Sequence, residues 1–297
     1  MKVPSQKIFP EGPEFSRIIL GGWRWNDRSF PISEQEKLID TALELGITSF
    51  DHADIYGNYN CQYLFGKVLK NNQALRDKIE IITKCDIKPI SGKFPERLLV
   101  HYDTSKEHII ESAEESLRAL NVDYVDTLLI HRPDPLMDAD IVAEAFTQLK
   151  DQGKVKYFGV SNFSNAQFSL LQSRLGFPLV TNQLEISMSF TDLIFDGTLD
   201  YMQEKRVGIM AWSPFGGGKI FNDKGMITQL NTFAKRYSVS VSAIIIAWLL
   251  RHPGNIFPVV GTMKTDRLRE IAKASEIAIE LQDWFMLLKI ARGYDVP

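Results

Sequence analysis

Short apolar runs that alternate with longer amphipathic stretches are the main pattern along this chain. Each run is rich in β-branched residues and has the length of a buried strand. Eight such runs occur, at 17–20, 47–50, 79–83, 125–130, 155–160, 178–183, 208–212 and 256–260. The stretches between them have helical spacing, and strands alternating with helices form a parallel sheet. The pattern therefore predicts an α/β fold, a closed (β/α)8 TIM barrel, as a single domain over residues 1–297.

The ends of the predicted helices have recognisable residues. A serine hydroxyl precedes four helical stretches and is expected to cap free backbone N–H groups, at Ser33, Ser105, Ser164 and Ser240. A glycine is expected to stop three of them, at Gly46, Gly153 and Gly176.

One long connection interrupts the repeating units. Residues 86–105 follow the third strand and are too many for a plain loop, so we expect them to cover the substrate. The stretch after residue 282 is predicted to be a helix that then stops, so no long C-terminal loop is expected to roof the pocket.

Composition narrows the class of protein. The 34 basic and 37 acidic residues give a net charge of −3, without the basic excess that nucleic-acid binding needs. The longest apolar stretch, 241–250, is too short for a membrane span and is expected to be a buried helix. The N-terminal prolines do not fit a signal peptide, so we expect a cytoplasmic protein. We also expect a monomer. Cys61 and Cys85 lack metal-ligand spacing and are too few for a disulfide framework.

Polar side chains follow successive predicted strands at the points where the strands end. Asp51 and Tyr56 come after the second strand, Lys84 ends the third and His131 follows the fourth. Each has a plainer interpretation, as a loop cap, a half-buried aromatic, a solvated charge or a core histidine. Their coincidence at the carboxyl ends of barrel strands, where such folds keep their active sites, instead indicates an enzyme.

The same residues resemble the catalytic tetrad of the aldo-keto reductases. FDHADIYG carries Asp51 and Tyr56, and further stretches match the family in order: LGGW (20–23), GVSNF (159–163), NQ (182–183), AWSPF (211–215) and GTMKTDRLRE (261–270). The resemblance covers nearly the whole chain. It implies reduction of an aldehyde or ketone with NADPH, on a barrel without a Rossmann fold. The sequence agrees, because no G-x-G-x-x-G follows any predicted strand.

On that basis we expect Tyr56 to exchange a proton with the carbonyl oxygen as general acid and base. Lys84, held by Asp51, is expected to lower the pKa of Tyr56 by stabilising the tyrosinate. His131 is expected to orient the carbonyl with an uncharged N–H.

The resemblance also places the cofactor. Ser161, Asn162 and Gln183 would bind the nicotinamide carboxamide, and Trp212 would stack on the ring where the family often has tyrosine. Glycines in SPFGGGKIF (213–221) let the backbone approach a pyrophosphate, and Arg267 suits a 2′-phosphate. The remaining expected contacts are Gly22, Trp23, Ser213, Pro214, Phe215, Gly217, Gly218, Lys219, Gly261, Thr262, Met263 and Glu270.

Aromatic residues are expected to wall the substrate pocket. These are Trp23, Trp25 and Phe94, which favour apolar or aromatic carbonyl compounds. His52 and Arg24 either add polar selectivity or simply pack.

Two other functions are compatible with a barrel. A nicotinamide-binding regulatory module, such as the channel-associated members of the family, would have no need of the complete tetrad. A phosphosugar isomerase would leave Tyr56 and Lys84 without a role, although SPFGGGK could mimic its phosphate site.

Overall fold

The computed structural model describes residues 2–26 and 30–296. In these residues the strands are β1 Ser5–Lys7, β2 Glu14–Ser16, β3 Ile19–Gly21, β4 Ser49–Asp51, β5 Glu80–Cys85, β6 Ile87–Lys88, β7 His101–Tyr102, β8 Val125–Ile130, β9 Val155–Ser161, β10 Leu179–Glu185, β11 Gly208–Trp212 and β12 Ile256–Val260. The helices are α1 Ile32–Glu44, α2 Tyr56–Tyr59, α3 Cys61–Asn71, α4 Lys106–Leu120, α5 Ala139–Asp151, α6 Asn165–Gln172, α7 Thr198–Glu204, α8 Lys224–Arg236, α9 Val241–Leu250, α10 Thr265–Ala272 and α11 Leu281–Arg292. Short 3-10 helices connect them at Gln73–Lys78, Asp192–Ile194, Gly216–Asn222 and Lys273–Glu276.

Eight strands close into a parallel barrel, as the apolar runs predict. Around the ring the order is β3, β4, β5, β8, β9, β10, β11 and β12, with β12 pairing back to β3. Each of these eight barrel strands overlaps one of the predicted runs, with ends that differ by up to two residues. Because the strands run in one direction, their carboxyl ends share one rim, and loops that follow them meet there.

The opposite end of the barrel is closed by the antiparallel hairpin of β1 and β2. Ile8 and Phe15 from this hairpin are fully buried and join interior strand residues such as Ile82 and Met210 in one apolar cluster. The backbone of Gly208 donates to the Ile8 carbonyl at 2.7 Å, which ties the hairpin to β11. The hairpin therefore fills the barrel from the end opposite its carboxyl rim.

An outer layer of helices covers the sheet. The strongly apolar α9 is buried along Ala243–Leu249, which is the packing predicted for this stretch. Trp248 on α9 stacks on Trp284 of α11 with ring centroids 5.6 Å apart. In the described part of the chain no single helix has the length and apolar composition to cross a membrane, while α8 and α9, bent by 81°, meet those criteria only as a pair.

Three predicted serine caps are confirmed and one is wrong. The hydroxyls of Ser105, Ser164 and Ser240 each accept a backbone N–H at a helix start. Ser33 lies inside α1, because Pro31 is already in the extended conformation that precedes the helix.

Two of the three predicted glycine stops are confirmed and one is wrong. Gly46 and Gly153 are left-handed after α1 and α5, with φ of 78° and 69°. Gly176 does not end α6, because that helix already stops at Gln172. The side-chain amide of Gln172 donates to the Phe177 carbonyl and accepts from the backbone N–H of Leu179.

The long connection after β5 is more ordered than a loop. β6 and β7 pair as an antiparallel ribbon within it, and Ser91 bridges Phe94 near the turn. Leu98 beside the turn is 91% exposed.

Candidate active site

Four polar side chains meet at the carboxyl rim of three neighbouring strands. Asp51 is the last residue of β4, Lys84 lies near the end of β5, and His131 directly follows β8. Tyr56 begins the turn after β4, where Gly57 and Asn58 are left-handed. This turn reverses the chain within a few residues, which returns the phenol to the strand that carries Lys84.

The ammonium of Lys84 is the centre of the cluster. It lies 2.8 Å from each carboxylate oxygen of Asp51 and 3.1 Å from the hydroxyl of Tyr56. The carbonyl of His52 accepts from the same ammonium at 2.8 Å. Lys84 is fully buried, and a buried ammonium needs such a complete set of partners.

The charges of this cluster follow from its burial. Burial alone would lower the pKa of Lys84, but Asp51 and Tyr56 hold it above its usual value, so the lysine stays charged. Burial raises the pKa of Tyr56, and Lys84 opposes that rise only in part. Lys84 does lower the pKa of Tyr56, as expected, but desolvation of the phenol is the larger effect, so the net pKa lies above its usual value. The phenol is held protonated.

His131 faces Tyr56 across the opening. The two rings meet edge to face, with centroids 5.9 Å apart and planes at 75°. Burial, with the positive charges of Lys84 and Arg132, holds the pKa of His131 well below its usual range, so the imidazole is neutral. Within the described residues Nδ1 is buried without a partner.

The three residues expected at the carboxamide are held together on neighbouring strands. The backbone carbonyl of Gln183 accepts from the Ser161 hydroxyl at 3.0 Å and from the Asn162 backbone at 2.9 Å. Asn162 is left-handed, with φ of 61°, and its side-chain oxygen accepts from the indole N–H of Trp212 at 2.9 Å. The guanidinium of Arg132 lies 5.6 Å from the centre of the Trp212 ring.

The two segments expected at the phosphates differ from the tetrad in being open. Gly217 and Gly218 are left-handed, with φ of 66° and 92°, and an added Cβ would meet no atom within 4 Å at either position. Lys219 and Arg267 are exposed, and neither makes an ion pair or hydrogen bond with a described residue. The carboxylate of Glu270 forms an ion pair with the ammonium of Lys273.

The other predicted cofactor residues lie on these same segments and on the loop after β3. Gly22 also has a packing reason to be glycine, since a Cβ there would lie 2.7 Å from His52 Nδ1. The Ser213 carbonyl accepts from the backbone N–H of Gly216 at 2.7 Å, the rings of Phe215 and Phe221 are 5.6 Å apart, and the Thr262 hydroxyl accepts from the backbone N–H of Lys264 at 3.2 Å. The same two segments also carry Pro214, Gly261 and Met263.

The predicted aromatic walls are only partly at the rim. Trp23 is 58% exposed, whereas Trp25 is 1% exposed and packs against Phe65 and His52 in the core. The structure thus places Trp25 where it cannot contact a substrate. Phe94 packs edge to face on Tyr59, at 5.2 Å between centroids, with Arg97 over its ring at 3.7 Å.

The surroundings of His52 and Arg24 show what each of these two side chains contacts. His52 is fully buried between aromatic rings, and burial with the charge of Lys84 lowers its pKa to about 3. It packs in the core and holds Lys84 through its carbonyl. Arg24 donates to the Gly217 carbonyl at 3.3 Å, linking the loop after β3 to the glycine segment.

Arg132 is a functional candidate that the sequence analysis missed. Its backbone N–H is fixed by Asp86 at 3.1 Å, while no described residue accepts a hydrogen bond from its guanidinium. The available signal was its position directly after His131 at a strand end.

Comparison with known proteins supports one family. The model of the aldo/keto reductase family matches residues 17–291. The chain is 47% identical over 294 residues to the oxidoreductase YdhF of Escherichia coli, covering 98% of each chain. It is 47% identical over 287 residues to a 6-dehydroglucose reductase of Agrobacterium fabrum, covering 95% of this chain and 96% of that one. A solved structure of the thermostable aldo-keto reductase Tm1743 superposes with a TM-score of 0.84 at 26% identity, covering 97% of this chain and 99% of that one.

Proposed function

The chain belongs to the aldo/keto reductase family and is an oxidoreductase of that family, and from this premise we propose that it reduces an aldehyde with NADPH, using Tyr56 as the general acid. The observation that carries the proposal is the contact of the Lys84 ammonium with both Asp51 and the Tyr56 hydroxyl. A regulatory module that only binds nicotinamide would gain nothing from burying this charged cluster.

The described residues fit an extended anionic cofactor at the rim. The left-handed Gly217 and Gly218 leave space for a pyrophosphate against the backbone. Arg267 is a cation without a partner among the described residues, and a guanidinium grips a phosphate with two hydrogen bonds. These features support NADPH over NADH. When bound, NADPH would supply the hydride.

The protein's own residues then manage the carbonyl oxygen. Tyr56, held protonated by burial, donates its hydroxyl proton to that oxygen. Lys84 stabilises the tyrosinate left behind, because its charge is maintained by Asp51. A neutral His131 with its proton on Nε2 can donate a hydrogen bond to the same oxygen without carrying charge into the site.

The substrate we propose is a hydroxylated aldehyde such as 6-dehydroglucose. One relative of high identity bears that activity in its name. The rim supports this choice, because Trp25 is buried and Phe94 is covered by Arg97, which removes two of the three aromatic walls. Arg132 instead presents a guanidinium beside Trp212, and such a fork can donate to neighbouring hydroxyl groups.

The test is oxidation of NADPH with 6-dehydroglucose and with benzaldehyde as an apolar comparison, followed by loss of reduced-nicotinamide absorbance. We expect faster turnover of the hydroxylated aldehyde, and Arg132→Met should raise KM for it while leaving benzaldehyde unchanged. Fluorescence titration with NADPH runs in parallel. Tight binding without turnover of any carbonyl would favour the regulatory module, and absence of binding would contradict both.

A further inference from the structure

Gln183 contacts the catalytic cluster directly. Its side-chain nitrogen donates to Asp51 Oδ1 at 2.9 Å. Gln183 lies on β10 and Asp51 on β4, which stand opposite each other in the eight-stranded ring. Both side chains are almost fully buried, so this hydrogen bond crosses the interior of the barrel just below the rim.

The hydrogen bond from Gln183 gives the Asp51 carboxylate a second donor besides Lys84. Oδ1 accepts from Lys84 and from Gln183, whereas Oδ2 accepts from Lys84. A carboxylate held from two opposite walls cannot rotate without breaking a charge-assisted hydrogen bond. Gln183 therefore helps to set where the Lys84 ammonium lies relative to the Tyr56 hydroxyl.

The other polar groups of Gln183 face the expected cofactor residues. Its backbone carbonyl accepts from Ser161 and Asn162. No described residue donates to its side-chain oxygen, which is also not among the enclosed unpaired atoms of the described chain. One amide thus holds Asp51 with its nitrogen and keeps its oxygen available to a ligand.

We propose that Gln183 is a positioning residue that couples occupancy of the nicotinamide site to the geometry of the Asp51–Lys84–Tyr56 cluster, through its N–H on Asp51. The inference rests on the proposed function for the identity of the ligand. It goes beyond a contact to the carboxamide, because it makes the same residue act on the proton donor.

The kinetic test uses Gln183→Met, which is close in shape but cannot donate. At saturating NADPH and substrate we expect kcat to fall about tenfold, in addition to a weaker affinity for NADPH. Without the N–H, the negative charge of Asp51 acts more strongly on Tyr56, so the alkaline fall of kcat should move to higher pH by about half a unit or more. Leu184→Met, a near-isosteric change at the next residue of β10, is the control and should leave the pH profile unchanged, because the Leu184 side chain belongs to the apolar core.

A second test needs no cofactor. Urea unfolding midpoints of the cofactor-free protein are measured for Gln183→Met, Asp51→Ala and the double variant, with Asp51→Ser in place of Asp51→Ala if that variant fails to fold. Because the two residues share a hydrogen bond, we expect the double variant to lose less free energy of unfolding than the two single variants lose in total. Ser240→Ala, which removes the cap of α9 and shares no described partner with Asp51, should be additive with Asp51→Ala.

The outcomes separate the two proposals. A weaker affinity for NADPH with unchanged kcat and pH profile would overturn the positioning role, as would additive unfolding midpoints. Wild-type protein that binds no cofactor or reduces no carbonyl would refute the proposed function, and the coupling of Gln183 to Asp51 would still be decided by the cofactor-free measurement.

Discussion

The two halves of the barrel rim are built in opposite ways. On the side of β4, β5 and β8, the charged groups of Asp51 and Lys84 are buried and paired, and Lys84 also bonds the hydroxyl of the half-buried, neutral Tyr56. On the side of β11 and β12, Lys219 and Arg267 are exposed and make no ion pair with a described residue. The first half is organised before any ligand arrives, and the second has the free cations that an anionic ligand would neutralise.

This contrast suggests a division of labour. A proton donor has to be held within tenths of an ångström of its geometry, which burial and charge-assisted hydrogen bonds achieve. A phosphate site gains affinity from cations that are not already paired, because no internal bond has to be broken. Variants on each side should therefore damage different steps.

The largest expected effect belongs to Tyr56→Phe. Removing the hydroxyl should reduce kcat by about 10²- to 10⁴-fold, because the carbonyl oxygen loses its proton donor. Affinity for NADPH, measured by fluorescence titration, should stay within about threefold, since the phenyl ring keeps its packing. A variant that kept its turnover would break the assignment of Tyr56, and one that lost cofactor binding would break the division between the halves.

Lys84→Met should cost stability as well as turnover. It leaves the buried carboxylate of Asp51 without its cation, which typically costs about 3–5 kcal/mol. Urea unfolding of the cofactor-free protein measures this loss. Asp51→Asn added to Lys84→Met should recover much of the stability without restoring turnover, and a double variant as unstable as the single would contradict the role of the ion pair.

The half-buried residue Asp54 adds a titrating carboxyl to the first half of the rim. Burial raises its pKa to about 6, against hydrogen bonds from Ser112 and from the backbone of Ile55. Between about pH 4 and 6 the folded protein then holds a proton that the unfolded chain has released, so the free energy of unfolding contributed by this group falls as pH rises.

Asp54→Asn removes that titration and keeps an acceptor oxygen. The free energy of unfolding of the variant, taken relative to that of the parent, should rise by on the order of 2 kcal/mol from about pH 4 to pH 7. Denaturant unfolding at both pH values checks this. A constant difference between variant and parent would mean that Asp54 titrates normally.

The smallest effect is expected on the open side. Arg267→Ala should raise KM for NADPH about tenfold and leave KM for NADH almost unchanged, because only NADPH has the 2′-phosphate. Steady-state kinetics with both cofactors provide the measurement, and kcat should not change. Equal losses for the two cofactors would place Arg267 elsewhere on the dinucleotide.

Much of the architecture was predictable from local patterns. The eight apolar runs correspond to the eight barrel strands, and polar residues after them lie at the rim. Errors arose where a neighbour took over a local role. Ser33 has the right chemistry for a cap, but Pro31 begins α1 first. Trp25 is aromatic like a pocket wall, but it packs with Phe65 in the core.

The sequence alone determined the elements, their order and the residue types of the Asp51–Lys84–Tyr56 cluster, because strand length, helical spacing and turn chemistry are local properties. Only the tertiary structure decided which of these groups are desolvated and which share a proton or a charge. Burial makes the phenol of Tyr56 harder to ionise than the nearby Lys84 would suggest. The bond from Gln183 to Asp51 joins residues on opposite walls, and distances across a closed barrel are not encoded in the spacing of either strand.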